Sequence, residues 1–158
     1  MSSDEEFLSV LIGALSKVRL EAIVVGSTAA ALQGAPIVTL DVDLLIRDTP
    51  MNRRKLKDLV RTLNATGPVE ISPLTNSVTI TGARVPIDII FDMLSGGLSF
   101  HSLRSRSKKV KIGDQEAVVA DLADIIRSKK AAGRLKDKAQ LPILEATLKV
   151  KRELDRKR

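Results

Sequence analysis

The segment TLDVDLLI, residues 39–46, constrains this chain more than any other. Its apolar residues read as a buried strand, yet Asp41 and Asp43 set two charges one residue apart within it. On a strand, residues i and i+2 project to the same face, so the two carboxylates stand side by side while Leu40, Val42 and Leu44 face the core. Taking such ions out of water costs several kcal/mol each unless a cation meets them. A divalent cation reverses the sign of their mutual repulsion, and Mg²⁺ in particular takes one or two carboxylates together with phosphate oxygens.

A third carboxylate is available further along. The stretch NSVTITGARVPIDIIFDML reads as a hairpin, with Val78 and Ile80 alternating before a turn at Gly82, then Val85, Ile87 and Ile89 on the return. Pro86 places the first part of that strand at an edge or bulge. Asp88 lies between Ile87 and Ile89 and so projects off the apolar face. Asp92 has the same parity but sits nearer the strand end, and ranks second. Three carboxylates from neighbouring strands can hold two metals about 3.5–4 Å apart, the geometry of phosphoryl transfer. EAIVVG supplies another strand, and STAAALQG a small-residue helix with Ser27 at its N-cap and Gly34 as its stop. Gly26-Ser27 at that strand-to-helix turn lets the backbone come close to a phosphate.

The remaining elements frame these. Ser3 and Glu6 form a capping-box pattern ahead of Phe7, Leu8, Leu11, Ile12 and Leu15, a helix running to about Val18. Pro50 introduces a helix with Leu56, Leu59, Val60 and Leu63 on one face, ended by Gly67-Pro68. SGGLSFHSLRSRS reads as a loop; Gly113-Asp114 turns between two short strands; Asp121 caps a helix stopped by Gly133. The last helix carries Leu141, Ile143, Leu144 and Leu148, with Pro142 near its first turn. This order predicts an α/β (α+β) fold: a mixed, twisted β-sheet with helices packed against it.

The 158 residues, 44% hydrophobic and 28% charged, are expected to form one domain, 1–158, with a basic helical segment over 121–158. Zero cysteines exclude disulfides and thiolate metal sites. The first ten residues are acidic where a secretory leader is basic, and no apolar run approaches the roughly 18 residues of a membrane span. The expected location is cytoplasmic, with no membrane contact. Charge is unevenly spread: from Arg104 onward 17 Lys/Arg stand against 8 Asp/Glu, while residues 1–103 hold 9 against 11. Phe7, Phe91 and Phe100, the three aromatic residues, fall short of the several exposed rings that a base-stacking platform of the RRM or OB type needs.

Gly26-Ser27, a helix, Asp41-Val-Asp43 on the next strand and a later Asp88 together resemble the nucleotidyltransferase superfamily that includes DNA polymerase beta and the small minimal nucleotidyltransferases. The segment ADLADIIRSKKAAGRLKDKAQLPILEATL is similar to the one closing the domain in bacterial and archaeal members related to abortive-infection and toxin-antitoxin systems. The resemblance spans residues 22–148. It implies transfer of a nucleoside monophosphate from an NTP to a hydroxyl, with two Mg²⁺ held by Asp41, Asp43 and Asp88, Asp88 also helping to deprotonate the acceptor. Gly26 and Ser27 would hold the terminal phosphates, with Lys129, Lys130 and Arg134 as countercharge or packing around the site. The chain departs from the minimal antitoxin subgroup at Ala29, where an Arg is usual, and at Leu40, often polar or basic. The acceptor stays open between an RNA end, a protein hydroxyl and a small molecule such as an aminoglycoside, and a partner chain, a homodimer or RNA is expected to complete the site. The rival reading is a noncatalytic module on the same scaffold that binds nucleic acid or a toxin through its basic C-terminal half.

Overall fold

The computed structural model describes residues 2–68, 71, 72 and 74–158. Helix α1 (Ser3–Lys17) buries Leu8, Leu11, Ile12 and Leu15, as their spacing requires. Its cap lies one residue earlier than expected. Ser2 takes the N-cap position and its hydroxyl accepts from the Glu5 N–H at 3.2 Å, while the Ser3 hydroxyl accepts from Arg84 Nη2 at 2.8 Å.

Strand β1 (Ile23–Val25) runs into α2 (Gly26–Leu32), and β2 (Val42–Ile46) into α3 (Pro50–Thr62), whose N-cap Thr49 accepts from the Asn52 N–H. Next come β3 (Ser77–Ile80) and β4 (Ile87–Phe91), then β5 (Met93–Leu94) and β6 (Leu98–Ser99), which pair only with each other. Helix α4 (Phe100–Arg106), β7 (Lys108–Ile112), β8 (Gln115–Val119), α5 (Leu122–Ala132) and α6 (Leu135–Arg156) complete the order. The main sheet has six strands in the order β3-β4-β2-β1-β8-β7. It is mixed: β2/β4 and β1/β8 are parallel, and β1/β2, β3/β4 and β7/β8 antiparallel. The expected mixed sheet with packed helices is therefore the one found.

Two further expectations are corrected. The stretch read as a loop after Gly97 contains α4, capped by Ser99 and burying Phe100 and Leu103. A helix of seven residues carries only this one apolar i,i+3 pair, too little to register as a period. Pro142 lies well inside α6 rather than in its first turn, because the helix begins at Leu135, where the Asp137 carboxylate reaches back to the Arg134 N–H. Among the described residues no helix is long and apolar enough to cross a membrane.

Candidate active site

The sheet register assembles the carboxylates. Asp43 on β2 stands opposite Val25 on antiparallel β1 and opposite Asp88 on parallel β4, so one row across three adjacent strands holds the end of β1, Asp43 and Asp88. Asp41 lies just before β2, its carbonyl accepting from the Thr28 hydroxyl of α2 at 2.9 Å. Each of Asp41, Asp43 and Asp88 offers a carboxylate oxygen within 4.8 Å of the other two. All three are half-buried. Asp88 is further fixed by the Thr79 hydroxyl, which donates to Oδ1 at 2.6 Å.

Asp92 is directed elsewhere. Its φ of +65° breaks the strand alternation after β4, so shared parity with Asp88 no longer means a shared face. Its carboxylate accepts from the Asp48 N–H at 2.6 Å, and Asp48 in turn pairs with Arg53.

Such crowding has a charge cost. Burial, and then the Asp41 and Asp88 charges and a hydrogen bond with Asp88, push the Asp43 carboxyl up from 3.8 to about 7, with Lys136 pulling the other way. The donors are all hard oxygens, with no His or Cys among them, which suits Mg²⁺ or Mn²⁺ and not Zn²⁺.

Gly26 starts α2 at φ +66°, and a Cβ there would collide with Asp43 Oδ2. Only glycine provides both the left-handed conformation and the space. Ser27 is not the N-cap; that position is Val25, which leaves α2 without a side-chain cap. The Ser27 hydroxyl instead donates to Gln140 Oε1 at 3.0 Å and accepts from Lys129 Nζ at 3.1 Å.

That lysine belongs to a second, cationic wall. Lys129 is buried to 6% exposure and bonds Asp137, which is itself fully buried. Asp137 also accepts from Arg134 Nε at 2.7 Å and Nη2 at 3.3 Å. Burial alone would raise the Asp137 pKa, but the bonds and charges of Arg134 and Lys129 outweigh it and hold the carboxyl below its usual value. Burial draws Lys129 down from 10.5 despite Asp137. A single buried carboxylate thus holds two cations in place. Both line a cavity of about 410 Å³, together with Lys136, Gly26, Asp41 and Asp43. Its remaining wall is apolar, from Ile90, Met93, Leu94 and Ile125, with Ser95 and Ser128.

No family model and no curated protein matches the chain by sequence. Solved structures do match. A Thermotoga maritima protein assigned as a nucleotidyltransferase superposes with a TM-score of 0.63 at 18% identity, covering 90% of this chain and 93% of its own. ANT(2'')-Ia, solved in complex with adenylyl-2''-tobramycin, gives 0.67 at 12% identity over 93% and 90%. The chain has the nucleotidyltransferase fold. An antigenic nucleotidyltransferase-like protein from Paracoccidioides brasiliensis extends the likeness, with a TM-score of 0.56 at 18% identity over 95% of this chain and 78% of that one.

On this nucleotidyltransferase fold the sequence-predicted residues divide. Asp41, Asp43, Gly26, Ser27, Lys129 and Arg134 line one cavity, and Asp88 joins the carboxylates. Lys130 does not reach them: it points to the other side of α5 and pairs with Glu145 at 3.0 Å. Sequence reasoning missed Lys136, Asp137 and Gln140. The spacing Arg134-x-Lys136-Asp137 is visible, but nothing local signals that α5 and α6 pack side by side, bringing Asp137 to Lys129 and Gln140 to Ser27.

Gly26→Ala is expected to displace Asp43 and to destabilise the fold by at least about 1–2 kcal/mol, because the left-handed conformation alone costs roughly that much for a residue with a Cβ and the collision adds to it; urea unfolding checks it. Asp92→Asn should leave Mn²⁺ affinity within about threefold of wild type while Asp88→Asn lowers it at least about tenfold, and parallel titrations of the two variants decide.

Proposed function

We propose that the chain transfers a nucleoside monophosphate from an NTP to a hydroxyl acceptor, releasing pyrophosphate. The observation that carries the reading is the meeting, in one cavity, of Asp41 and Asp43, with Asp88 beside them, and a cationic wall of Lys129, Arg134 and Lys136. Negative oxygens on one side and positive nitrogens on the other suit a metal-bound triphosphate and little else of that size.

Asp41, Asp43 and Asp88 would hold the divalent cations, Mg²⁺ in the first instance. When bound, they supply neutralisation of the phosphate charge and Lewis-acid polarisation of its oxygens. The chain's own groups do the rest. Lys129 and Arg134, held by Asp137, and Lys136 draw the β- and γ-phosphate oxygens and stabilise the charge that builds on departing pyrophosphate. The backbone N–H groups of Gly26 and Ser27, in the uncapped first turn of α2, donate to the same oxygens. Asp88 accepts the proton of the attacking hydroxyl. The acceptor oxygen bonds to the α-phosphorus as the bond to pyrophosphate breaks, and the proton leaves through Asp88.

The lining also bears on the acceptor. Apart from Asp41 and Asp43, no carboxylate lines the cavity among the described residues. A polyamine such as the tobramycin of the ANT(2'')-Ia complex would have no anion to meet beyond the metal-facing ones. That lining supports an RNA end or a protein hydroxyl as acceptor ahead of an aminoglycoside.

The experiment is transfer of label from α-³²P NTPs with Mg²⁺, offered tobramycin, RNA and protein in parallel. Label moving to RNA or protein, and lost in Asp43→Asn, supports the reading. Absence of transfer to any acceptor, with RNA or protein binding unchanged in Asp43→Asn, supports the noncatalytic module instead.

A further inference from the structure

A second recess, about 830 Å³, lies between the C-terminal half of α6, the end of α2 and the edge strand β7, and shares no residue with the active-site cavity. Its floor is apolar, from Leu32, Pro36, Val110, Ile143, Val150 and Leu154. Helix α6 already spends one apolar face on the core through Leu141, Leu144 and Leu148. Ile143, Thr147, Val150 and Leu154 form another, at the 4-3-4 spacing of a helix-pairing seam. Ile143, Val150 and Leu154 are left 39%, 55% and 57% exposed. A soluble chain gains nothing from a row of this kind unless something covers it.

The rim says what covers it. Among the described residues, Lys108 and Lys151 are the charged ones that line the recess, and no carboxylate does. Lys151 donates to the uncharged Gln33 Oε1 at 2.8 Å, and among the described residues Lys108 has no ion-pair partner. An apolar floor between two cations without carboxylate partners fits an apolar stripe flanked by acids. A second copy of this chain would bring its own Lys108 and Lys151 to the same rim, like against like. A lipid surface needs a protruding apolar edge rather than a recess, and a nucleic acid would leave the floor uncovered. From Ile143 to Leu154 the seam runs roughly 16 Å at the helical rise, the length of about three turns.

We propose that this groove seats an amphipathic helix of another protein, about three turns long, with acidic residues flanking its apolar stripe. The helix it grips is the one whose first turns carry Asp137 and Gln140, so the partner is held on the same rigid element that frames the cavity. The site stands apart from the proposed transfer activity and survives if that activity is wrong.

The test uses the full chain and a fluorescent synthetic helix of about 14 residues, with leucines at i, i+4, i+7 and i+11 and glutamates beside them, against the same peptide with lysines in place of glutamates. Anisotropy should give binding of the acidic peptide, at least about tenfold weaker binding of the lysine peptide, and a loss of about tenfold or more in Val150→Asp. The double variant Lys108→Glu, Lys151→Glu should prefer the lysine peptide. Circular dichroism and an unchanged Tm show that the variants are folded. Failure of the acidic peptide to bind, or equal binding of both peptides, overturns the proposal. So does a dimer in sedimentation that Val150→Asp dissolves, which assigns the groove to a second copy, or Val150-dependent binding to phosphatidylglycerol vesicles, which assigns it to lipid.

Discussion

Asp43→Asn is expected to make the metal-free protein more heat-stable at pH 8 while abolishing nucleotidyl transfer. The Asp43 carboxyl has a folded-state pKa of about 7 against 3.8 for its ordinary value, because burial and two neighbouring aspartates disfavour its charge. Between these values the native state binds a proton that the unfolded chain does not. The contribution of Asp43 to stability is therefore greatest below about pH 4, falls as pH rises through the window, and stays at its reduced level above about pH 7. An amide at this position never charges. The gain should appear at pH 8, as a rise in Tm of at least ~3 °C for a chain of this length, and vanish near pH 4. Mg²⁺ should raise the Tm of wild type at pH 8 and leave that of Asp43→Asn unchanged, since binding to the native state alone stabilises it. The same substitution should cost at least about 10³ in transfer rate, the scale of several kcal/mol of lost charge stabilisation. Scanning calorimetry at the two pH values, with and without Mg²⁺, checks the stability half. A variant destabilised equally at both pH values would mean that the aspartate serves the fold and not a ligand.

Asp137→Ala should be the most destabilising substitution at the site. Its carboxylate is fully buried and holds Lys129 and the Arg134 guanidinium at once. Removing it leaves the Lys129 ammonium, 6% exposed, without a countercharge, and breaking a buried pair from one side costs about 3–5 kcal/mol. Lys129→Met in the same background removes the stranded charge and should restore about half of the loss, whereas the two changes would simply add if the residues acted independently. Urea unfolding of the four members of the cycle measures this. Because Asp137 touches no nucleotide in the proposed mode and acts through the cations it positions, the double variant should regain stability without regaining transfer.

What the sequence made legible here follows from range. Asp41 and Asp43 announced themselves because two charges at i and i+2 in an apolar run have few reasons to be there, although the strand begins only at Val42 and Leu40, expected to face the core, is 80% exposed; Asp88 did so because its parity opposes Ile87 and Ile89. Those are local facts, and the register Asp43↔Asp88 turned them into a cluster. Asp92 shared the parity but not the place, since a positive φ at that one residue redirects its side chain to the Asp48 N–H. Asp137 and Gln140 were invisible for the opposite reason. Gln140 meets Ser27 across 113 positions of sequence, and Asp137, though only three and eight residues from Arg134 and Lys129, takes its place from the packing of α5 on α6 that buries it. Lys129 and Lys130 were indistinguishable as letters, and only the face each takes on α5 sends one to the cavity and the other to Glu145. Helix α4 escaped because seven residues are too few for a period.

The most direct test of the account is a crystal of the chain grown with Mn²⁺ and a nonhydrolysable NTP analogue, measured at a wavelength where manganese scatters anomalously. The prediction is one or two anomalous peaks within coordination distance of Asp41, Asp43 and Asp88, with triphosphate oxygens reaching Lys129, Arg134 and Lys136. Manganese bound elsewhere, or a nucleotide seated away from the aspartates, would contradict it.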